Sequence, residues 1–297
     1  MAVYCLGSIN IDNFYRLEQL PRPGETLSAK SHAQGLGGKG VNQSIAALRA
    51  GADVFHIGAI GQGDAWTEAE LSRHGVALDS VARVSVGTGH AVIAVDDAGE
   101  NQIIIFSGAN LAQSKPLIEA TLASAGPGDT LLLQNETSHQ VEAAKLARER
   151  GLSVFYSAAP FALDSLQAVL PFATHILLNA GEAEALVQAT GIALADLPAE
   201  AVVVTRGAEG AEWISAGAEP LFVPSFPVTP VDTTGAGDCF AGSLAASLDQ
   251  GKPPEQAMRY AAAAAALQVT QPGTADAMPT REAVDALLGD QAPQYFA

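Results

Sequence analysis

Cysteine is scarce in this chain. There are two in 297 residues, Cys5 and Cys239, enough for one disulfide at most. A chain of this length buries a sizeable core without such staples, so the scarcity excludes a disulfide scaffold and suits a reducing compartment. Basic residues are also few, with 15 Lys and Arg against 32 Asp and Glu and a formal net charge of −17. That excludes binding to nucleic-acid backbones or anionic membranes, which need clustered cations. A nucleotide is not excluded, because backbone N–H groups and a metal ion hold phosphate without net positive charge. Charged residues of both signs make up only 16% against 48% hydrophobic, a balance that excludes disorder. Long apolar runs are missing too: the most apolar stretch, Tyr260 to Val269, is mostly alanine and too short to span a bilayer. Residues 1–10 have no basic segment and no long apolar segment, so no secretory leader is expected and a cytoplasmic location is. The six histidines fall at no metal-ligand spacing.

What is present is alternation. Short apolar runs at Val3–Leu6, Val54–Ile57, Thr130–Leu133, Val154–Tyr156, His175–Leu178 and Val202–Thr205 read as strands. Between and after them, helical patterns run over Val41–Ala50, Ala65–His74, Val141–Arg150, Glu182–Thr190, Asp238–Leu248, Pro254–Val269 and Arg281–Leu287. Strands alternating with helices predict an α/β fold: a mostly parallel central sheet sandwiched by helices, in one domain spanning 1–297. Two segments break the rhythm. One, about 13–34, holds the turn cluster Leu20-Pro21-Arg22-Pro23-Gly24-Glu25. The other, about 85–107, reads as a hairpin of Ala91–Val95 and Gln102–Phe106 around a turn at 96–101. Together they predict a small inserted β-sheet serving as a lid.

In a parallel α/β sheet, ligands sit beyond the carboxyl ends of the strands. Here those ends run repeatedly into polar residues: Asn10 and Asp12, Gln134-Asn135-Glu136, Ser157, Asn179 with Glu182, and Thr205-Arg206-Gly207. Five such ends in one sheet predict a polar cleft.

Glycine-rich segments add chemistry. Gly35-Leu36-Gly37-Gly38-Lys39-Gly40 matches G-x-G-x-x-G, but the dinucleotide fingerprint needs an acid after the next strand, and Asp53 precedes it. A phosphate-binding P-loop fails as well, because Ala33 and Gly40 stand where it needs Gly and Ser or Thr. What remains is a glycine turn opening a helix, either a plain left-handed turn or a place where backbone N–H groups meet an oxygen-rich ligand. Asp232-Thr233-Thr234-Gly235-Ala236-Gly237-Asp238 is the stronger signal. Its glycines let N–H groups converge into an anion nest at a helix N-terminus. Asp238 on the rim would take the proton from an attacking hydroxyl, an arrangement suited to phosphoryl transfer. A helix-capping role for Asp238 is the alternative, but capping needs no G-A-G before it. Asn179-Ala180-Gly181-Glu182 would hold a water-bound Mg²⁺, although alone it reads as an ordinary helix start.

These pieces, in this order, resemble the ribokinase-like carbohydrate kinases over nearly the whole chain. The matching segments are Gly7 to Asp12, Pro23-Gly24-Glu25-Thr26, Gly37 to Gln43, Gly99-Glu100-Asn101 with Gly108-Ala109-Asn110, Asn179 with Glu182, and Asp232 to Asp238. The resemblance implies ATP-dependent phosphorylation of the primary hydroxyl of a small sugar, D-ribose before others. The alternatives are another sugar (a ketohexose or deoxyribose), a nucleoside, or a non-catalytic sugar-binding protein. It implies sugar contacts from Asn10, Asp12, Gly38, Lys39, Asn42, Glu136 and Asp238, with Asp238 also the base and Gly235, Ala236 and Gly237 the anion hole. ATP would meet Asn179, Thr205 and Gly207, with Mg²⁺ near Glu182 through water. The lid would also pair two subunits into a homodimer. A monovalent cation, K⁺, would lie between Asp232 with Thr234 and the carbonyls of Gln268, Gln271 and Gly273. Three positions depart from the pattern. Ala277 replaces a customary serine hydroxyl, which removes one cation ligand and leaves strong K⁺ dependence open; Ala262 and Ser157 also differ, on the nucleotide half.

Overall fold

A strand that is apolar at every position has to be covered on both faces, and the order of elements shows how this is done. The computed structural model describes residues 1–290; the last part of the expected 1–297 span, 291–297, lies outside the described residues. The chain runs β1 (Ala2–Leu6), β2 (Asn10–Arg16), β3 (Ser31–Gly37), α1 (Lys39–Arg49), β4 (Asp53–Gly61), α2 (Ala65–Arg73), β5 (Val81–Val84), β6 (Gly89–Val95) and β7 (Asn101–Phe106). It continues with α3 (Lys115–Leu122), β8 (Thr130–Gln134), α4 (Gln140–Glu149), β9 (Ser153–Ser157), α5 (Leu163–Val169), β10 (His175–Asn179) and α6 (Ala180–Thr190). Then come β11 (Ala201–Thr205), β12 (Gly210–Ile214), β13 (Leu221–Pro224), α7 (Ala236–Asp249), α8 (Pro254–Gln268) and α9 (Arg281–Asp290).

The main sheet has nine strands in the order β13-β12-β11-β10-β9-β8-β1-β4-β5. From β5 across to β11 every pairing is parallel; β12 and β13 close one edge antiparallel. Alternate residues of β1 serve opposite cores. Val3 and Cys5 pack with Ile45 of α1, Leu244 of α7 and Ala261 of α8, whereas Tyr4 and Leu6 pack with Ile118 of α3, Ala144 of α4 and Leu166 of α5. Chain order reverses at β1, which has β4 on one side and β8 on the other. The carboxyl ends of β1 and β8 therefore open a crevice at the switch point, where ligands of such sheets bind.

A second sheet, ordered β3-β2-β6-β7, pairs β2 with β6 in parallel and its other neighbours antiparallel. The β6–β7 hairpin places Ala91 opposite Ile105 and Val95 opposite Asn101. Its turn is held by Asp96, whose carboxylate accepts from the N–H groups of Ala98 and Glu100. The first segment reaches beyond 13–34 in both directions, so Asn10 and Asp12 lie on β2 and Gly37 ends β3. Helices α3 and α5 and strands β5, β12 and β13 had no counterpart in the sequence periodicity. Each helix buries only two apolar residues, Ile118 with Leu122 and Leu166 with Val169, too few to set a repeat. Among the described residues, no helix is long and apolar enough to cross a membrane.

The start of α1 is pressed onto the end of β1. A Cβ on Gly40 would lie 2.3 Å from the Cα of Gly7, so the two backbones touch with no room for a side chain on either. Gly40→Ala is expected to lower the urea midpoint by the equivalent of about 1–3 kcal/mol with an unchanged slope, measured by chemical unfolding.

Candidate active site

The floor of the crevice is the junction of α1 and α7. At Gly242 an added Cβ would meet the Gln43 carbonyl at 2.2 Å, so the two helices approach backbone to backbone. That closeness delivers Asn42 and Gln43 to the first turn of α7. Asn42 Nδ2 donates to one oxygen of Asp238 at 3.2 Å, and Gln43 Nε2 donates to the other at 3.1 Å. Gln43 is itself held by Gln134, the last residue of β8, through a 2.7 Å bond. The Asp238 side chain thus faces α1 rather than capping its own helix.

The N-cap of α7 is Gly235, at φ 83°, where a Cβ is disfavoured, and no side chain caps the helix. The Ala236 N–H turns back to Thr233 O at 3.3 Å. Gly237 and Asp238, in the first helical turn, have no carbonyl a turn earlier to take their N–H groups. By contrast, α6 carries a capping box: Asn179 accepts from Glu182 N at 2.9 Å, and Glu182 accepts from Asn179 N at 2.8 Å. The bare end of α7 offers donors and the positive end of a helix to an anion. Burial raises the Asp238 pKa, a shift opposed by Lys39, Gln43 and Asn42 and reinforced by Glu136. A carboxylate so shifted is a stronger base than one in water. Burial disfavours the charge on Lys39, yet Asp238, Glu136 and Glu182 outweigh it and raise the lysine's pKa.

On the other side of Lys39, Glu136 follows β8 and accepts from Ser8 Oγ and from the Lys39 backbone N–H. The Ser8 hydroxyl in turn accepts from Gly40 N at 3.3 Å. Asn10 is buried, and its Oδ1 accepts from Asn110 Nδ2 at 2.8 Å; Asn110 also accepts from the Ile9 N–H. Burial, then the neighbouring Glu136, lift the Asp12 pKa to about 6. This half of the crevice is a cluster of carboxylates and amides, a chemistry matched to vicinal hydroxyls.

The opposite half runs along the ends of β10 and β11. A cavity lined by Asn179, Glu182, Thr205, Gly235, Gly237 and Asp238 extends from Lys39, and a second one joins Thr205 and Gly207 to Phe240 and Ala262. The expected cation ligands also assemble here: Asp232 accepts from Thr234 N and Gly273 N, and Gln268 reaches both loops. Gln271 is exposed, with its N–H on Gln268 O.

Residues 2–281 match the pfkB family of carbohydrate kinases. The chain belongs to that family. It is 36% identical over 292 residues to a ribokinase of Bacillus subtilis (strain 168), covering 95% of this chain and 98% of that one. Among solved structures, a Thermotoga maritima ribokinase superposes with a TM-score of 0.88 at 32% identity, covering 97% of this chain and 99% of that one. An Arabidopsis thaliana ribokinase complexed with ribose and ATP superposes with a TM-score of 0.85 at 31% identity, over the same shares of the two chains.

Sequence reasoning about this carbohydrate kinase missed four polar residues that build the site. Gln43 holds Asp238 and is itself held by Gln134, Ser8 holds Glu136, and Asn110 holds Asn10. Gln43 lies beside Asn42 in the segment Gly37 to Gln43, Gln134 ends a strand, and Asn110 follows Gly108-Ala109. Those neighbourhoods were the available signal, but the partners are about 90 to 195 residues apart in sequence.

Asp12 gives a test of the site's electrostatics. The folded state keeps its proton up to about pH 6, whereas its ordinary value is 3.8, so ionising it costs stability as pH rises between those values. Asp12→Asn removes that cost. Its melting temperature is expected to exceed the parent's above pH 6 and to converge with it below pH 4, measured by calorimetry across that range.

Proposed function

We propose that this carbohydrate kinase transfers the γ-phosphoryl group of ATP to the primary hydroxyl of a small sugar, and that the sugar is D-ribose, giving ribose 5-phosphate. The observation that carries the reading is the Asp238 carboxylate, buried and held by two amides beside the uncapped start of α7. Asp238 takes the proton of the hydroxyl. The hydroxyl oxygen bonds to the γ-phosphorus as the bond to the β–γ bridging oxygen breaks, leaving ADP. The N–H groups of Gly235, Gly237 and Asp238, with Lys39 alongside, stabilise the charge on the phosphoryl oxygens. Ala236 shapes the turn, its own N–H being given to Thr233. Asn10, Asp12, Gly38, Asn42 and Glu136 hold the sugar's hydroxyls, and Ser8 and Asn110 fix two of those side chains.

Asn179, Thr205 and Gly207 border the nucleotide. Mg²⁺ would be held through water by Glu182, whose carboxylate lines the cavity with one oxygen given to the helix cap; bound there, the ion neutralises phosphate charge. No monovalent cation enters this reading, because its expected ligands already bind one another. The second sheet carries Asn10 and Asp12 on β2, so its closure over the sugar would exclude water and limit ATP hydrolysis.

Two copies pair through this sheet. Its edge strand β7 exposes Ile103, Ile104, Ile105 and Phe106, an unprotected apolar edge of the kind that a partner strand or sheet covers. Both cysteines are free and buried, which suits work in the reducing cytoplasm, where ATP is available.

ADP release from MgATP, measured against a panel of sugars and nucleosides, tests the reading, with turnover on ribose expected to lead. Asp238→Asn is expected to lower kcat by about 100-fold or more while ribose binding measured by calorimetry persists. Turnover of that variant at the parent's rate would remove Asp238 as the base. Ile104→Lys is expected to convert the dimer to a monomer in light scattering.

A further inference from the structure

The family resemblance implies a monovalent cation beside the anion hole, and the residues present test whether one fits. Such an ion needs several oxygens converging on one space. Here the oxygens of Asp232, Thr234, Gln268 and Gly273 each already accept an N–H donor. Gln268 is the last residue of α8 and is fully buried. Its side-chain Nε2 donates to Thr234 O at 2.8 Å and to Gly273 O at 3.1 Å. Its own carbonyl accepts from Gln271 N at 3.1 Å. Asp232 accepts from Thr234 N at 2.9 Å with one oxygen and from Gly273 N at 3.1 Å with the other. Ala277 brings no hydroxyl, and it is buried. An N–H donor therefore stands between two of the carbonyls that a cation would draw together, and it repels a positive ion. The orientation of the amide is decided by those carbonyls. Turned over, it would set oxygen against two oxygens. In the orientation adopted, Gln268 Oε1 is buried without a partner among the described residues, a cost that the two donated bonds have to offset.

We infer that the Gln268 amide replaces the monovalent cation in this kinase. It ties the loop at 232–235, which leads into the anion hole, to the loop at 273 that follows α8. Asp232 adds the reciprocal pair of bonds between the same two loops. The anion hole is thus set by the chain itself, and phosphoryl transfer proceeds without K⁺. This inference rests on the assignment of Gly235–Asp238 as the anion hole, but its structural half is independent of turnover.

The test compares KCl with tetramethylammonium chloride at equal ionic strength, a cation too large for such a site. Two readouts are taken: turnover of ribose with MgATP, and the melting temperature without substrates. The parent is expected to show the same turnover, within about twofold, and the same melting temperature in both salts. Gln268→Ala removes the amide and opens space. It is expected to lose about tenfold or more in turnover in tetramethylammonium and to recover it in KCl, with a melting temperature raised by KCl. Gln268→Ala with Ala277→Ser should respond to KCl more strongly. A parent enzyme that needs K⁺ for turnover, or that K⁺ stabilises saturably, overturns the inference. So does a Gln268→Ala variant with full turnover and no response to K⁺. If the variant does not fold, the parent's two readouts still decide. If no sugar is turned over, the melting temperatures decide the cation question while the kinase reading alone fails.

Discussion

A carboxylate buried at the meeting of two helices can keep its charge only where donors and positive potential are supplied on the spot. Asp238 is such a group. Amides from Asn42 and Gln43, the nearby Lys39 and the open N-terminal end of α7 all serve it. Much of the architecture follows from that need. Helix α1 has to start where β1 ends, and α7 has to lie against α1. Residues without side chains, Gly7, Gly40 and Gly242, make both approaches possible. The last residue of β8, Gln134, completes the support from the far side of the switch point.

The same junction divides the crevice into two chemistries. On one side lie Glu136, Asp12 and Asn10, the first fixed by Ser8 and the last by Asn110. On the other lie backbone N–H groups and the strand ends of β10 and β11. Lys39 sits between, its charge maintained by carboxylates from both sides. A chain with a net charge of −17 can therefore receive a polyanion, because the local field at this point is made by backbone dipoles and one lysine rather than by overall charge. The uncapped α7 and the capped α6 show the contrast within one molecule. The helix closed by a capping box borders the cavity, and the helix with no side-chain cap opens into it.

Much of the fold was legible in the residues. Continuous apolar strands alternating with helical periods could be satisfied only by a parallel sheet covered on both faces, and β1 sends alternate residues to two cores as that demands. The hairpin at β6 and β7 was legible through its turn, where Asp96 organises the chain. Helices α3 and α5 were not, because two buried residues apiece leave no repeat to find. Nor was the full extent of the second sheet, since β2 begins at Asn10, only four residues after Leu6 ends β1.

Residue type and local spacing alone determined the alternation, the glycine turns, and the presence of Asp238 and Glu182 at helix starts. Those features depend on neighbours within a few residues, so they are written in the order of the chain. Tertiary structure alone decided what each polar group faces. Asp238 turns to α1 and not to its own helix, and Gln268 donates across two loops. A side-chain hydrogen bond requires a partner within about 3 Å in space, and nothing in a linear spacing specifies which distant residue the packing of helices and sheet will bring there.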